Sequence, residues 1–244
     1  MNSTVFREVI KSMIRDSGGS VNKINLEKSI ELIGECFMYN SWNFWLGKII
    51  EKSPLDLMIL QEIMFEKRPI TIIECGTGYG GLTYYMATLM DLMDINGKII
   101  TIDHQKNPQM VPNPKKIFMP IDGEIVFADV NLYQKQTLPK HPKIKYIFSD
   151  CLAVDFPKLK SKIMVVLDSD NSTGYVYAEL EKFSKMVTVG QYLVVANTIL
   201  ADKNTNPAAA VKKFLRNNKN FVADQSREKF GITSSPGGYL LRVS

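Results

Sequence analysis

Four short apolar segments, each followed by an acidic residue, most constrain what this chain can fold into. The segments span residues 70–73, 98–102, 144–148 and 163–167. The acids at or just after their ends are Glu74, Asp103, Asp150 and Asp168. Apolar segments of strand length that alternate with helices indicate a parallel sheet covered on both faces. Because ligands bind beyond the carboxyl ends of such strands, these acids predict one polar site.

The other predicted elements complete a doubly wound α/β fold. Pro54 begins a predicted helix with Ser53 as its N-cap. Further helices are expected at 82–93, 176–186 and 208–215, a fifth strand at 192–196, and a closing antiparallel pair at 221–222 and 239–243. The segment 105–143 is the least regular. We therefore expect an N-terminal helical cap over 1–67 and a mostly parallel sheet domain over 68–244.

A glycine-rich loop follows the first apolar segment. Gly76, Gly78 and Gly81 formally satisfy the dinucleotide fingerprint G-x-G-x-x-G, which by itself is a weak signal. The Gly-Lys-Ser/Thr of a phosphate-binding P-loop is absent. Glu74, directly before the loop, would repel a pyrophosphate but would suit a cationic ligand such as a sulfonium that carries an amino acid.

The acids at the next two strand ends extend this interpretation. Asp103 is suited to accept hydrogen bonds from ribose hydroxyls, and Asp150 is placed to lie beside a base. The alternative is that these acids only cap helices or turns.

Composition excludes several other classes of protein. The 244 residues carry a formal net charge of +5, far from the dense basic load of a dedicated nucleic-acid binder. Three cysteines and two histidines exclude a disulfide scaffold, a Cys-rich zinc site and a His-rich metal centre. The sequence shows neither the apolar core of a signal peptide nor a membrane-spanning run. We expect a soluble, cytoplasmic protein with no nucleic-acid or membrane partner.

Several blocks of the sequence resemble class I S-adenosylmethionine-dependent methyltransferases, and more specifically the cephalosporin hydroxylase family, which includes rhamnosyl O-methyltransferases. The blocks are 39–42, 54–57 with 61–62, 73–76 with 80–81, 166–170, 178–180, 190–195, 228–230 and 235–240. The resemblance implies a Rossmann-like fold and methyl transfer from S-adenosylmethionine to a hydroxyl. Together with the loop and the strand ends, it predicts a cofactor site of Glu74, Gly76, Thr77, Gly78, Gly80, Asp103, His104, Asp150, Cys151 and Asp168.

The resemblance also implies a divalent metal in many relatives, held by an Asp within 168–170 and a Glu-Asp pair after Val195. Here that pair is Ala196-Asn197, and Asn171 stands where the family commonly has His. Because Mg²⁺ prefers carboxylate oxygens, metal binding should be severely weakened. The remaining weak candidates for metal ligands are Asp168, Asp170 and Asn197.

Without a metal, the acceptor hydroxyl needs a general base. Asp168 and Asp170 are the first candidates, and Lys203 is a distant third. His104 adjoins the predicted ribose acid and is expected to line the adenosine pocket. His141 lies in a polar segment and is expected to be solvated.

Three functions follow from these residues. The leading one is a methyltransferase that acts on a small-molecule hydroxyl, with a sugar or natural product as acceptor. The second is a non-catalytic member that binds S-adenosylmethionine or serves as a scaffold. The third is an NAD-dependent oxidoreductase, favoured only by the formal glycine pattern. The sequence leaves open whether the chain forms a homo-oligomer. It also leaves open whether Tyr39, Trp42 and Trp45 close over a substrate or pack against the sheet.

Overall fold

The chain is described from a computed structural model, in which the described residues are 43–104, 137–157, 159, 162–202 and 205–244, with the backbone alone at 115–121 and 124–130. Residues 1–42 of the predicted cap therefore lie outside the described residues. The domain boundary proposed at 67/68 stays a prediction. Among the described helices, none is long and apolar enough to cross a membrane.

A seven-stranded, mostly parallel sheet forms the centre of the described part. Its strands are β3 (Thr71–Cys75), β4 (Lys98–Asp103), β7 (Ile144–Phe148), β8 (Ile163–Leu167), β9 (Tyr192–Val195), β10 (Phe221–Ala223) and β11 (Tyr239–Arg242). They are arranged in the order β10-β11-β9-β8-β3-β4-β7. Within this sheet only β11 runs opposite to the other strands, because it pairs antiparallel with both β9 and β10. The prediction of a doubly wound sheet with an antiparallel closing pair is confirmed.

Within the described part of the chain, four α-helices cover the two faces of this sheet. They are α1 (Pro54–Lys67), α2 (Gly81–Leu92), α3 (Thr173–Phe183) and α4 (Pro207–Asn217). As predicted, α1 begins at Pro54, and Ser53 Oγ accepts a hydrogen bond from Leu55 N at 3.3 Å. Side chains alternate across the strands, so Ile72 packs with α1 and α2 while Ile73 packs with α3 and α4.

Two small antiparallel pairs lie outside the main sheet. The first is β1 (Asn43–Trp45) with β2 (Lys48–Ile50), and the second is β5 (Lys115–Ile121) with β6 (Glu124–Val130). Sequence reasoning predicted neither of them. It grouped 43–50 with segments of helical spacing and described 105–143 only as irregular, because short strands with little apolar alternation give a weak periodic signal.

One of the two aromatic residues described in the first hairpin, Trp45, packs inward, while Phe44 is 49% exposed. Trp45 stands edge-on to Tyr85 with 4.9 Å between ring centroids, and its Nε1 donates to Thr88 Oγ1 at 2.8 Å. These contacts favour packing over a mobile lid for Trp45. Tyr39 and Trp42 lie outside the described residues.

The C-terminal loop is tied to the start of α1. Buried Asp56 accepts hydrogen bonds from Ser234 N at 2.9 Å and from Tyr239 Oη at 3.0 Å. Arg227 adds an ion pair to Glu66 further along α1. These contacts attach the C-terminal segment to α1 near both ends of the helix.

Candidate active site

The glycine loop after β3 is shaped for close backbone approach. Gly76 has φ +94°, and a Cβ on it would lie 2.1 Å from the backbone oxygen of Asp168 on the neighbouring strand. Gly81 begins α2, and a Cβ there would lie 1.9 Å from the Ile49 oxygen of β2. The loop therefore requires glycine at both positions, one against β8 and one against the first hairpin.

Asp103, at the end of β4, holds this loop in place. Its Oδ2 accepts hydrogen bonds from Thr77 N and Gly78 N, both at 3.0 Å. Next to it, the side chain of His104 is 79% exposed, with Nδ1 3.4 Å from Asp103 Oδ1. The acid predicted to contact ribose thus also organises the backbone of the glycine loop.

A cavity of about 450 Å³ opens beside Asp103. Its lining includes several of the predicted cofactor residues, namely Gly76, Gly78, Asp103, His104, Asp150, Cys151 and Asp168. Asp150 accepts hydrogen bonds from Tyr175 Oη at 2.6 Å and from Leu152 N at 2.8 Å. The bond from Tyr175 is the main reason that the pKa of Asp150 lies below its ordinary value. We call this space the second cavity.

An adjoining space of about 380 Å³, the first cavity, lies on the other side of the loop. It is lined by residues of the β2–α1 connection, the glycine loop, the ends of β8 and β9, and the C-terminal loop at 232–234. The two cavities share five residues in their lining, namely Glu51, Gly76, Gly78, Asp168 and Ser169. One molecule lying along the loop would therefore contact both spaces.

Asp168 forms a mostly buried ion pair at this junction. Lys52 Nζ lies 2.7 Å from Asp168 Oδ1, and the two side chains are 9% and 18% exposed. Asn197 Nδ2 donates to the same oxygen at 3.1 Å and lies 3.3 Å from Asn171 Oδ1. Lys52 and Asn197 therefore hold the carboxylate from two sides.

Glu74 does not lie in the wall of either cavity. It has no exposed surface and accepts a hydrogen bond from Thr83 on α2. Burial is the largest cause that raises its pKa to about 8, so the carboxyl is mainly protonated at neutral pH. This differs from the prediction of a charged acid that faces the ligand. Glu74 shares the strand face of Ile72, which points toward α2 and not toward the strand end.

A second buried acid lies beneath the site. Glu179 on α3 accepts a hydrogen bond from Ser169 Oγ at 2.7 Å, and burial raises its pKa to about 7. Cys75, Cys151 and Glu179 approach one another closely, and all three are buried. Cys151 also reaches the second cavity, as predicted for a cofactor residue.

The other predicted site residues take mostly structural positions. Asp170 Oδ1 accepts from Ser172 N at 2.6 Å before α3, and the residue lines the second cavity. Gly80 is the N-cap of α2 and packs against Pro139. Ala196, which replaces the expected metal-binding carboxylate, is buried. Lys203 lies outside the described residues.

The prediction of a solvated His141 is wrong. Its side chain is only 10% exposed, and Nε2 lies 2.9 Å from Asp91 Oδ2. Its Nδ1 accepts from Lys143 N at 3.2 Å. A local excess of polar residues did not reveal that α2 would cover this ring.

Several residues that line the first cavity escaped sequence reasoning, including three with polar side chains. These three are Lys52, Thr233 and Ser234. Lys52 is one of 30 basic residues, and nothing in its local sequence distinguishes it from a surface lysine. The two hydroxyl residues lie just before the 235–240 block, which carried the resemblance without indicating a role for them.

Comparison with known proteins shows the family to which the chain belongs. A family model described as Rhamnosyl O-methyltransferase/CmcI matches residues 37–243. The Rhamnosyl O-methyltransferase of Mycobacterium bovis (strain BCG / Pasteur 1173P2) is 29% identical, over 81% of this chain and 77% of its own length. The Rhamnosyl O-methyltransferase of Mycobacterium leprae (strain TN) is 27% identical, over 84% of this chain and 85% of its own length.

Solved structures share the fold. A structure of CmcI with Mg and SAM superposes with a TM-score of 0.58 at 17% identity, covering 83% of this chain and 77% of that one. A CmcI structure with SAH superposes with a TM-score of 0.54 at 16% identity, covering 82% of this chain and 81% of that one. The predicted fold and the predicted class, an S-adenosylmethionine-dependent O-methyltransferase, are confirmed. The chain belongs to the Rhamnosyl O-methyltransferase/CmcI family.

Proposed function

We propose that this enzyme transfers the methyl group of S-adenosylmethionine to a hydroxyl of a sugar or a glycosylated natural product. The single observation that carries the proposal is the pair of adjoining cavities that meet at Gly76, Gly78 and Asp168. A two-substrate reaction needs two such spaces with a shared boundary, because the reacting atoms must meet there.

The second cavity is suited to the adenosine part of the cofactor. Asp103 offers a carboxylate to ribose hydroxyls, and Asp150 and Cys151 lie where the base would extend. The methionine part would then follow the loop backbone toward Gly76 and Asp168. This orientation points the sulfonium methyl at the first cavity.

The first cavity is suited to the acceptor. Its volume of about 380 Å³ lies within the common range for small-molecule sites. Thr233 and Ser234 add hydroxyl groups to its lining, which suit a polyhydroxylated ligand. The relatives named rhamnosyl O-methyltransferases make a rhamnose-bearing acceptor the first to test.

Of the two acids predicted as the base, the geometry favours Asp168, because it lines both cavities while Asp170 lines only the second and caps a turn there. In the reaction the acceptor oxygen bonds to the methyl carbon as the sulfur–carbon bond breaks. The bonding electrons return to sulfur, which leaves as the neutral thioether of S-adenosylhomocysteine. The hydroxyl proton passes to the Asp168 carboxylate.

Calorimetry with S-adenosylhomocysteine tests the cofactor half of the proposal. Asp103→Asn keeps an oxygen for Thr77 N and Gly78 N but removes the charge offered to ribose, so affinity should fall about 10-fold to 100-fold. Asp155→Asn, outside the lining of both cavities, should bind like the wild type. An Asp103→Asn variant with unchanged affinity would refute the assignment of the second cavity.

Turnover separates the enzyme from the non-catalytic alternative. That alternative is motivated by Ala196 and Asn197, which replace the carboxylates expected at a metal site. Incubation with methyl-labelled cofactor and a panel of rhamnosides should give a labelled methyl ether. Tight cofactor binding without transfer to any hydroxylated acceptor would favour the scaffold role.

We also propose a cytoplasmic location and small-molecule partners only. The support is chemical: Cys75 and Cys151 are free, buried thiols, which suits a reducing compartment. Cell fractionation tests the location. Sedimentation analysis decides whether the protein self-associates.

A further inference from the structure

The donor set around Asp168 does not fit a divalent metal ion. Mg²⁺ needs an octahedron of oxygen ligands and is usually anchored by carboxylates. Here Asp168 contributes one carboxylate, Ala196 contributes a methyl group, and Asn197 turns its amide nitrogen toward Asp168. A dication at this position would also face the ammonium of Lys52, whose nitrogen lies 2.7 Å from Asp168 Oδ1.

We infer that the ammonium group of Lys52 occupies the cation position of this site and polarises the acceptor oxygen in place of a metal ion. The inference rests on the proposed function, which identifies the first cavity as the acceptor space. Lys52 lines that cavity and pairs with the carboxylate at its junction with the cofactor space. It therefore lies where the acceptor oxygen and the methyl group must meet.

The backbone around Lys52 fixes its position. Asn43 Nδ2 on β1 donates to the Lys52 carbonyl oxygen at 2.7 Å, and Ser53, the N-cap of α1, follows directly. A lysine between a hairpin and a helix start has little freedom to move away. Its side chain is 9% exposed, so solvent screens the charge weakly.

The chemistry of an ammonium group suits this role. It has three N–H donors, and the bond to Asp168 uses one of them. Another N–H can donate to the acceptor oxygen as negative charge develops on it, while Asp168 takes the proton. A donor aimed at developing charge in a sheltered site commonly changes rates by about 100-fold.

Manganese titration followed by electron paramagnetic resonance tests the inference without needing activity. Up to about 1 mM Mn²⁺, we expect the signal of free Mn²⁺ to be unchanged by the wild-type protein. The variant Lys52→Met/Ala196→Glu/Asn197→Asp should bind one Mn²⁺ at least about tenfold more tightly than the wild type. The matched control, Ala196→Glu/Asn197→Asp with Lys52 retained, should bind more weakly than the triple variant.

Two outcomes of that titration would overturn the inference. One is a wild-type site for Mn²⁺ that is lost in Asp168→Asn. The other is equal Mn²⁺ affinity of the control and the triple variant, which would show that Lys52 does not compete for the position. The affinity for S-adenosylhomocysteine is measured on the same samples and does not depend on the manganese result. If the wild type does not bind S-adenosylhomocysteine, the proposed function is refuted, while the manganese titration still decides whether Lys52 occupies the cation position.

Variants of the ion pair keep the test interpretable if Lys52→Met folds poorly. Lys52→Met/Asp168→Leu removes both buried charges at once and should fold, because paired apolar replacements of buried ion pairs are commonly tolerated. Lys52→Arg retains the charge. Once a rhamnoside is methylated, kcat should be about 100-fold lower in Lys52→Met than in Lys52→Arg, with KM for S-adenosylmethionine unchanged. Equal kcat values would count against the inference.

Discussion

The two adjoining cavities are built in different ways. The second is made by consecutive parallel strands, whose carboxyl ends place Asp103, Asp150 and Asp168 at one edge of the sheet. The first is closed by two segments that are far apart in sequence, the β2–α1 connection and the loop at 232–234. Under the proposed assignment, a cofactor shared by many enzymes would be held by the regular core of the fold, and the acceptor by its connections.

The largest expected effect is at Gly76, where the two cavities meet. Gly76→Ala places a Cβ 2.1 Å from the Asp168 oxygen at a residue with φ +94°. Affinity for S-adenosylhomocysteine should fall more than about 100-fold, or stability by about 3 kcal/mol or more. Calorimetry and chemical denaturation measure the two effects.

A matched glycine provides the control for this variant. A Cβ on Gly174, in α3, would meet nothing within 4 Å. Gly174→Ala should leave affinity unchanged and raise stability by up to about 1 kcal/mol. If the two variants have the same affinity and the same stability, the two cavities do not depend on the close approach of the glycine loop to β8.

An effect that is intermediate for each unit of pH is expected from Glu74, which lies beneath the glycine loop. Its folded pKa of about 8 exceeds the ordinary 4.5, so between these values the folded state keeps a proton that the unfolded chain loses. The free energy of unfolding therefore falls as pH rises from about 4.5 to 8, by up to about 1.4 kcal/mol per pH unit from this group. Glu74→Gln should gain stability relative to the wild type as pH rises from 5 to 8.

Urea denaturation at several pH values measures this difference. Glu181→Gln, on the exposed side of α3, should follow the wild-type curve. Parallel curves for Glu74→Gln and the wild type would show that Glu74 is charged in the folded protein. That result would return Glu74 to its predicted role, a charged group near the cofactor.

The smallest effect is expected in the hairpin that borders the first cavity. Trp45→Phe removes the 2.8 Å hydrogen bond to Thr88 Oγ1 and should cost about 1 kcal/mol of stability. Phe44→Leu, at a half-exposed position of the same hairpin, should cost less. If Trp45→Phe instead raises KM for the acceptor without loss of stability, Trp45 acts as a lid.

The regular part of the molecule could be predicted because its signals are local. Apolar segments, the glycine loop and Ser53-Pro54 each act over a few residues, so they located β3, β4, β7, β8 and α1 closely. The same local signals failed for Glu74 and His141. Whether a polar side chain meets solvent depends on the helix that packs over it, here α2 in both cases.

The sequence by itself determined the sheet, the cofactor loop and the loss of the metal-binding carboxylates at Ala196 and Asn197. Only the tertiary structure decided what replaces them. Lys52 and Asp168 are 116 residues apart, and their ion pair forms because the first hairpin packs against Gly81 at the start of α2. Local periodicity carries no information about such a contact, since it depends on how distant segments meet at the edge of the sheet.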